Sequence, residues 1–204
     1  LVGSEMCIRD RILTTPRLII RPATSAINDL TALTQILADE QVNQYLPWYP
    51  VTTLAATKRF YDGKIARLNA TDQAFFWLIC LKTTQQPIGY IDLSDDAGHD
   101  LGYGLAVAYW HQGIATEAGA AVIDYLRMTS LPFITATHDR HNVGSGKVMQ
   151  KLGMQYAYSY EEQWQPKDIL VTFRLYQLNL DGQTDRIYWH YWDQSEAHMI
   201  EKMT

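Results

Sequence analysis

The segment that most constrains the fold runs from Trp110 to Ala118, where an extended stretch passes through a glycine turn into an amphipathic helix. Apolar residues leave the turn at helical spacing, namely Ala118, Ala121, Val122, Tyr125 and Leu126. Such a turn directs free backbone N–H groups and the positive end of a helix at one point, which suits a phosphate. Gly113 lets the backbone approach a ligand closely, and Ala115 keeps the next contact small. On this stretch alone, a structural turn that binds nothing is an equally good interpretation.

The composition is typical of one globular domain with short additions. The chain has 204 residues, 47% hydrophobic and 19% charged, enough for a sizeable core. A net charge of −5 predicts no nucleic-acid partner and weakly favours amine substrates. Cys7 and Cys80 give no disulfide framework or metal spacing. No signal peptide or membrane-spanning apolar run is visible, so we expect a cytoplasmic protein without a membrane partner.

The two ends of the chain differ from its centre. Met6 to Arg11 resembles the translated end of a sequencing transposon, so we expect residues 1–11 to be a non-native extension. The domain then covers residues 12–180, and an aromatic tail covers 181–204. Residues at helical spacing in this tail predict a helix that docks on the domain or on a second copy in a homodimer: Ile187, Tyr188, Tyr191 and Trp192.

Periodicity and turn residues predict the order strand, two helices, three strands, helix, strand, helix, two strands. The strands are predicted at 17–22, 75–81, 87–93, 99–105, 133–137, 154–161 and 169–178, and the helices at 27–37, 52–68, 118–126 and 142–152. The strand at 75–81 is apolar on both faces and is predicted to be central. Short turns make 75–105 an antiparallel meander. In the loop 45–50, Trp48 either lines a pocket or packs on the core.

A second motif runs from Asn142 to Gly153. Ser145 shares a helical stripe with apolar residues and is predicted to point inward. The glycines on either side of it each cost about 1 kcal/mol relative to alanine in a first helical turn, and close approach of a ligand explains their presence. The alternative is that Asn142 only caps the helix and Ser145 bonds a backbone carbonyl.

Together these motifs resemble the GCN5-related N-acetyltransferase (GNAT) family. The segment from Trp110 is similar to its acetyl-CoA pyrophosphate loop, Arg/Gln-x-x-Gly-x-Gly/Ala, and Asn-x-x-Ser with Lys-Leu-Gly is similar to the second motif. Gly-Ile-Ala-Thr-Glu-Ala after Trp110, and Thr-x-Arg-Leu from Thr15, resemble the branch that acetylates the N-termini of ribosomal proteins. The resemblance spans roughly residues 15–180. The chain departs from the family at His111, usually glycine in that branch, and at Met149, a tyrosine in many relatives.

The resemblance implies an α/β (α+β) fold with a mixed, mostly antiparallel sheet of about seven strands, flanked by four helices. The sheet would splay between 99–105 and 133–137 to admit acetyl-CoA. The pantetheine arm would pair with the backbone of Tyr103, Gly104 and Leu105, and the pyrophosphate would rest on the loop. The remaining implied cofactor-binding residues are Trp110, His111, Gln112, Gly113, Ile114, Ala115, Thr116, Asn142 and Ser145.

Three residues are implied as catalytic. Asp100 matches a carboxylate that deprotonates the amine in relatives, although a solvated turn residue or a partner of His99 explains it equally well. Ser145 would replace the missing tyrosine at the thiol, with Asn142 beside it, while a backbone N–H near Leu105 would hold the oxyanion. His138 and His141 lack metal-ligand spacing, so no metal is expected.

The expected function is therefore direct acetyl transfer from acetyl-CoA to a primary amine. The acceptor is either a protein N-terminal amine or a small amine such as a polyamine or an antibiotic. Segments 45–64 and 161–168 would decide between them. A non-catalytic acyl-CoA-binding module remains an alternative, motivated by Met149 and His111.

Overall fold

The computed structural model describes residues 11–202 and contains two antiparallel sheets. The first has the strand order β1-β2-β3-β4-β5, with β1 Leu13–Thr14, β2 Leu18–Pro22, β3 Phe75–Leu81, β4 Pro87–Leu93 and β5 Leu101–Leu105. The second has the order β6-β8-β7-β9, with β6 Phe133–Asp139, β7 Gln155–Trp164, β8 Ile169–Asn179 and β9 His198–Met199. The extension proposed at residues 1–11 lies, apart from Arg11, outside the described residues.

Helices cover both faces of the first sheet. The order is α1 Ile27–Ala38, α2 Glu40–Asn43, α3 Leu54–Phe60, a π turn at Tyr61–Ile65, α4 Ala66–Leu68, α5 Ile114–Leu126, α6 Val143–Lys151 and α7 His190–Gln194. The π turn joins α3 to α4, so 54–68 is one helical stretch, as predicted for 52–68. No helix within residues 11–202 has the length and apolar character needed to cross a membrane.

Strand β3 separates two hydrophobic cores and is buried over nearly its whole length. Phe76, Leu78 and Cys80 face a core built with α1 and the helical stretch 54–68. The alternate residues face a larger core that includes α5, α6 and the second sheet. Because alternate side chains of a strand point to opposite faces, one apolar strand serves both cores. The prediction of a central strand and an antiparallel meander is confirmed.

The two sheets meet at a single parallel bridge between Asp100 and Thr135. Within residues 11–202 no further pairing joins β5 to β6, so the sheets separate beyond this point. His99 has a φ of 48°, in the left-handed region that a strand excludes. Strand β5 therefore begins at Leu101, whereas the sequence predicts its start at residue 99. The α/β class, the splay and the seven longer strands agree with expectation, and β1 and β9 are two-residue additions.

The aromatic tail docks on its own domain. Tyr188, Tyr191 and Trp192 pack against a third core formed by Tyr158, Tyr160, Val171, Phe173 and Leu175 on the second sheet. Only His190–Gln194 is helical, and β9 then pairs with β7 through Ser159↔Met199 and Tyr160↔His198. The predicted tail helix is thus a single short helix that carries Tyr191 and Trp192, whereas Tyr188 packs on the sheet from the chain before it.

An ion pair fastens the end of this tail. The Arg174 guanidinium forms a bidentate pair with the Glu201 carboxylate, which also accepts a hydrogen bond from Ser159 Oγ. These partners, Arg174 first, lower the pKa of Glu201 to about 2. Since this folded pKa is depressed, the stabilisation is present above the ordinary pKa of 4.5 and is lost as the pH falls towards 2.

We expect Glu201→Gln to speed amide hydrogen exchange of residues 187–199 by about two- to fivefold at pH 7, the range for a partly exposed ion pair. In this variant, the protection of the tail against exchange should no longer decrease as the pH falls below 4.5. Glu196→Gln is the matched control, because Glu196 is exposed and forms no ion pair in the described chain. Exchange rates that are equal in the two variants would contradict the role of this pair.

Candidate active site

The free edge of β5 supplies one side of the site. Register pairs Gly102 with Asp92 and Gly104 with Tyr90, and Ala106 N–H donates to Ile88 O. In an antiparallel ladder, residues of one parity bond the neighbouring strand and the others point away from it. The peptide groups of Tyr103 and Leu105 therefore face the cleft, whereas those of Gly104 face β4. Of the three residues predicted to pair with the pantetheine arm through their backbone, only Tyr103 and Leu105 direct peptide groups at the cleft.

Gly104 and Trp110 have structural roles beside this edge. A Cβ at Gly104 would lie 2.7 Å from the Tyr90 ring, so a glycine is needed there. Trp110 Nε1 donates to Leu105 O over 2.8 Å. This bond uses the carbonyl of Leu105 and leaves its N–H directed at the cleft.

The turn before α5 has the geometry that the sequence predicts. Gly113 is the residue that precedes the helix, with a φ of 74° and no side-chain cap. In the described chain the amides of Ile114, Ala115 and Thr116 have no hydrogen-bond acceptor, as expected for a first helical turn. His111 has a φ of 58° and is exposed, which explains why glycine suits this position. His111 thus keeps the glycine backbone shape and points its side chain to solvent.

Arg17 is a part of the site that the sequence interpretation missed. Its guanidinium donates to Gln112 O over 3.0 Å and to Glu117 Oε2 over 2.6 Å. Burial acts to raise the pKa of Glu117, but hydrogen bonds from Thr15 and Arg17 lower it below its ordinary value. The start of β2 is thereby clamped to the turn, with a cation beside it. The Thr-x-Arg-Leu motif that contains Arg17 was the only hint in the sequence. A local pattern does not show that Arg17 contacts Glu117, which is 100 positions further along the chain.

The second motif joins α6 to β5 across the cleft. The Tyr103 hydroxyl lies 2.9 Å from Ser145 O and 3.0 Å from Ser145 Oγ. Asn142 Oδ1 accepts from Ser145 N–H over 3.2 Å, so Asn142 is the helix cap that the alternative interpretation named. Met149 is buried in the main core. The phenol that reaches Ser145 therefore comes from β5 rather than from position 149.

The histidines near this motif do not form a metal site. His138 is buried, and its Nδ1 contacts Asp139 O at 2.8 Å. Burial lowers the pKa of His138, which favours the neutral ring. The Nδ1 atom of His141 lies 3.0 Å from Asp139 Oδ1, within hydrogen-bond distance. Across residues 11–202, no group of three or more His, Cys, Asp or Glu side chains is placed to hold a metal ion.

Asp100 lies at the point where the sheets separate. Thr135 Oγ1 donates to its carboxylate over 3.3 Å, and no basic side chain of the described chain forms an ion pair with it. Burial first, and then the negative charges of Asp96 and Asp92, raise the pKa of Asp100 to about 7. A carboxyl group with this pKa can exchange a proton at neutral pH. Asp100 is half-buried and forms a bridge to β6 instead of lying in a turn, and its role as a base stays a prediction.

A second buried carboxylate lies on the same face as Asp100. Lys64 Nζ is 3.4 Å from Asp92 Oδ2 and 5.0 Å from the centre of the Trp48 ring. Burial nevertheless raises the pKa of Asp92. Trp48 packs on Phe60, yet its Nε1 is buried without an acceptor among the described residues. Trp48 therefore packs on the core, as one of the two interpretations holds, and its place in a pocket stays a prediction. Two shallow depressions beside α1 contain no predicted site residue.

We expect Gly113→Ala to lower the free energy of unfolding by about 1–2 kcal/mol, the cost of the left-handed conformation for an L-residue. A Cβ there would lie no closer than 3.8 Å to Arg17, so the cost comes from the backbone. Gly63→Ala is the control, because its Cβ would meet nothing within 4 Å and alanine favours a helix. Denaturant unfolding measures both. A Gly113→Ala protein as stable as the wild type would contradict the strained turn.

Comparisons with known proteins agree with this geometry. The family model described as Acetyltransferase (GNAT) domain matches residues 17–155. "Uncharacterized N-acetyltransferase YnaD" of Bacillus subtilis (strain 168) is 29% identical over 147 residues, which are 70% of this chain and 82% of that protein. A solved GNAT-family acetyltransferase from Bacillus anthracis superposes with a TM-score of 0.72 at 22% identity, over 84% of this chain and 99% of that one.

A second solved structure is titled RimL, ribosomal L7/L12 alpha-N-protein acetyltransferase in complex with coenzyme A. It superposes with a TM-score of 0.74 at 17% identity, over 85% of this chain and 100% of that chain. At this identity the likeness shows the fold. The family model covers well over half of the chain, and the resemblance inferred from the motifs is confirmed: the chain belongs to the GNAT family of acetyltransferases.

Proposed function

We propose that the protein transfers an acetyl group directly from acetyl-CoA to a primary amine. The observation that carries the proposal is a series of backbone groups without a partner in the described chain, namely the peptide groups of Tyr103, the N–H of Leu105 and the first amides of α5. It begins beside Asp100, follows the edge of β5 through Tyr103 and Leu105, and ends at the free amides of α5. Acetyl-CoA bound along this line would supply an activated acetyl thioester near Asp100.

The residues of the turn fit the pyrophosphate. Gly113 has no side chain to block approach, and the amides of Ile114, Ala115 and Thr116 point out of the helix start. Backbone N–H groups at a helix N-terminus favour phosphate through hydrogen bonds and the helix dipole. Arg17 adds a positive charge at the same place. The side chains of Trp110 and Gln112 bond backbone carbonyls that precede the turn, and His111 contributes its positive φ.

Asp100 is the proposed general base. The amine must lose a proton as it attacks the acetyl carbonyl, and a base with a pKa near the working pH does this best. The pKa of about 7 meets that requirement. The cleft-facing N–H of Tyr103, which lies nearer to Asp100 along β5 than the N–H of Leu105 predicted from the sequence, would stabilise the carbonyl oxygen as it gains negative charge.

Ser145 and Tyr103 are proposed to act at the sulfur. Their hydroxyls are 3.0 Å apart at the junction of α6 and β5. Either hydroxyl can donate a hydrogen bond towards a departing thiolate, and Asn142 fixes the helix that carries Ser145. Asn142 thus positions Ser145 instead of touching the reacting atoms.

The acceptor that we propose to test first is a protein N-terminal amine. The support is the ribosomal-protein acetyltransferases among the proteins of similar fold and the loop sequence after Trp110. Small amines are the second acceptor class. A non-catalytic acyl-CoA-binding role is favoured by one observation, the burial of Met149 without a hydroxyl at that position, and it predicts binding without turnover of any amine.

The proposal is tested by thiol release from acetyl-CoA with peptide and alkyl amines. We expect Asp100→Asn to lower kcat by about 10²–10⁴-fold, the usual contribution of general base catalysis. In the wild type, kcat/KM should rise with pH and pass an inflection near 7, as the Asp100 carboxylate forms. Asp96→Asn is the matched control. It removes a charge that raises the pKa of Asp100, so it should keep kcat and move the inflection to lower pH.

The effect of Asp100→Asn on stability is a second test that needs no turnover. Because the pKa of Asp100 is raised on folding from 3.8 to about 7, its contribution to stability is complete below pH 3.8 and is lost as the pH rises through 7. Asp100→Asn should therefore be more stable than the wild type at pH 8, with a smaller difference at pH 5. A fully active Asp100→Asn protein would remove Asp100 as the base.

A further inference from the structure

The C-terminal tail covers the face of the second sheet from which the partners of Asp100 project. Cross-strand partners share a face of a sheet. In β6, Thr135 lies opposite Gln177 and Thr137 lies opposite Leu175. Leu175 in turn lies opposite Tyr158 of β7, a residue of the core against which the tail packs. The hydroxyl beside Asp100 and the docked tail are therefore on the same side.

Tyr188 brings the tail next to that hydroxyl. Its N–H donates to Gln177 Oε1 over 2.8 Å, and its carbonyl accepts from the Tyr158 hydroxyl over 2.7 Å. Its ring abuts Gly98, where a Cβ would lie 3.0 Å from a ring carbon. Thr135 Oγ1 donates to Gly98 O over 2.9 Å and also lies 3.3 Å from Asp100 Oδ2, so both groups share this one hydroxyl. One layer of atoms thus separates the Tyr188 ring from the partner of the carboxylate.

Tyr191 continues this surface. Its ring stacks on Tyr160 with centroids 4.9 Å apart and planes within 9°, and its centroid is 5.7 Å from that of Tyr188. Burial first, and then the negative charge of Asp100, raise the pKa of Tyr191. No basic side chain of the described chain pairs with Asp100. The negative charge of Asp100 therefore raises the pKa of the Tyr191 hydroxyl without a cation to offset it.

The face has a second wall on the side of the helices. Asp92 and Lys64 lie there with Trp48, on the face of β4 and β5 that carries Asp100. Lys167 Nζ donates to Asn43 O over 2.8 Å, so the β7–β8 hairpin contacts the end of α2. Asp100 thus has residues of the helical side on one side and the docked tail on the other.

We propose that Tyr188 and Tyr191 of the tail form one wall of the acceptor site and select the amine, an inference that rests on the proposed acetyl transfer. The ammonium form of the acceptor is attracted by the unpaired Asp100 carboxylate. The carbon atoms next to the amine then pack against the tyrosine rings, whose flat apolar faces bury them. The tail is in this way a specificity element of the enzyme.

The test uses conjugates in which the sulfur of coenzyme A is joined through an acetyl spacer to the amine of a probe. One conjugate carries a dipeptide amide and the other carries propylamine. Calorimetric titration of the full chain compares each conjugate with coenzyme A alone. In the wild type we expect at least one conjugate to bind about tenfold more tightly than coenzyme A.

Tyr191→Leu is the main variant, since leucine keeps the apolar packing and removes the ring, and Tyr188→Leu is the second. Each should lose about fivefold or more of the conjugate's advantage and keep the affinity for coenzyme A within about twofold. Trp189→Leu is the matched control, because Trp189 belongs to the same tail but stacks on Tyr158. This control should keep the whole advantage.

The outcomes separate the two proposals. If coenzyme A does not bind to the folded wild type, the proposed function fails and the inference falls with it. If coenzyme A binds but no conjugate binds more tightly than coenzyme A, the inference alone is overturned. The same holds if both tyrosine variants keep the higher affinity for the conjugate. The inference is also overturned if Trp189→Leu loses as much as Tyr191→Leu, since any change in the tail would then have the same effect.

Discussion

The bridge between Asp100 and Thr135 is the contact on which the rest of the structure depends. It is the one pairing that joins the two sheets in residues 11–202. On one side of it the strands are held together, and on the other side β5 and β6 diverge. Because β5 has no partner strand along the cleft, the peptide groups of Tyr103 and the N–H of Leu105 are unpaired in the described chain, whereas the carbonyl of Leu105 accepts from Trp110 Nε1. Unpaired backbone groups need a partner, and the amides of a pantetheine arm are the partner that we propose.

The same contact sets the chemistry of Asp100. A carboxylate at this junction is held away from bulk water and close to two other carboxylates, so its ionisation costs free energy that folding must supply. Thr135 offsets only a part of this cost. A group that destabilises the fold when ionised is common at active sites, where function needs a perturbed pKa. Asp100 is easier to explain as a base than as a structural residue.

Local sequence patterns were enough to predict the parts of the site that lie within one segment. Gly113 marks a turn that needs positive φ, and the apolar spacing after it marks a helix, so the shape of the turn proposed for phosphate follows from nine consecutive residues. The cap at Asn142 was predictable for the same reason. The role of Arg17, the pair Lys64–Asp92 and the docking of Tyr188 were not. Each joins segments far apart in the chain, and their residue types fit an exposed surface equally well.

Two departures from the family pattern gain a physical meaning from the structure. His111 adopts the positive φ at which relatives use glycine, so the turn keeps its shape. Met149 is a core residue, and a phenol reaches Ser145 from Tyr103 on the opposite side of the cleft. The start of β5 was predicted two residues early, because a pattern of side chains does not show the left-handed backbone of His99.

The most direct test of the central claim is thermal unfolding with acetyl-CoA, coenzyme A or ATP present. The edge of β5 and the turn at Gly113 are together proposed to recognise a pantetheine arm and its pyrophosphate, so acetyl-CoA and coenzyme A should stabilise the protein and ATP should not. At a hundred times the dissociation constant, the bound ligand should add about 2.7 kcal/mol to the free energy of unfolding. An unchanged unfolding temperature with all three, or an equal shift with ATP, would contradict the account.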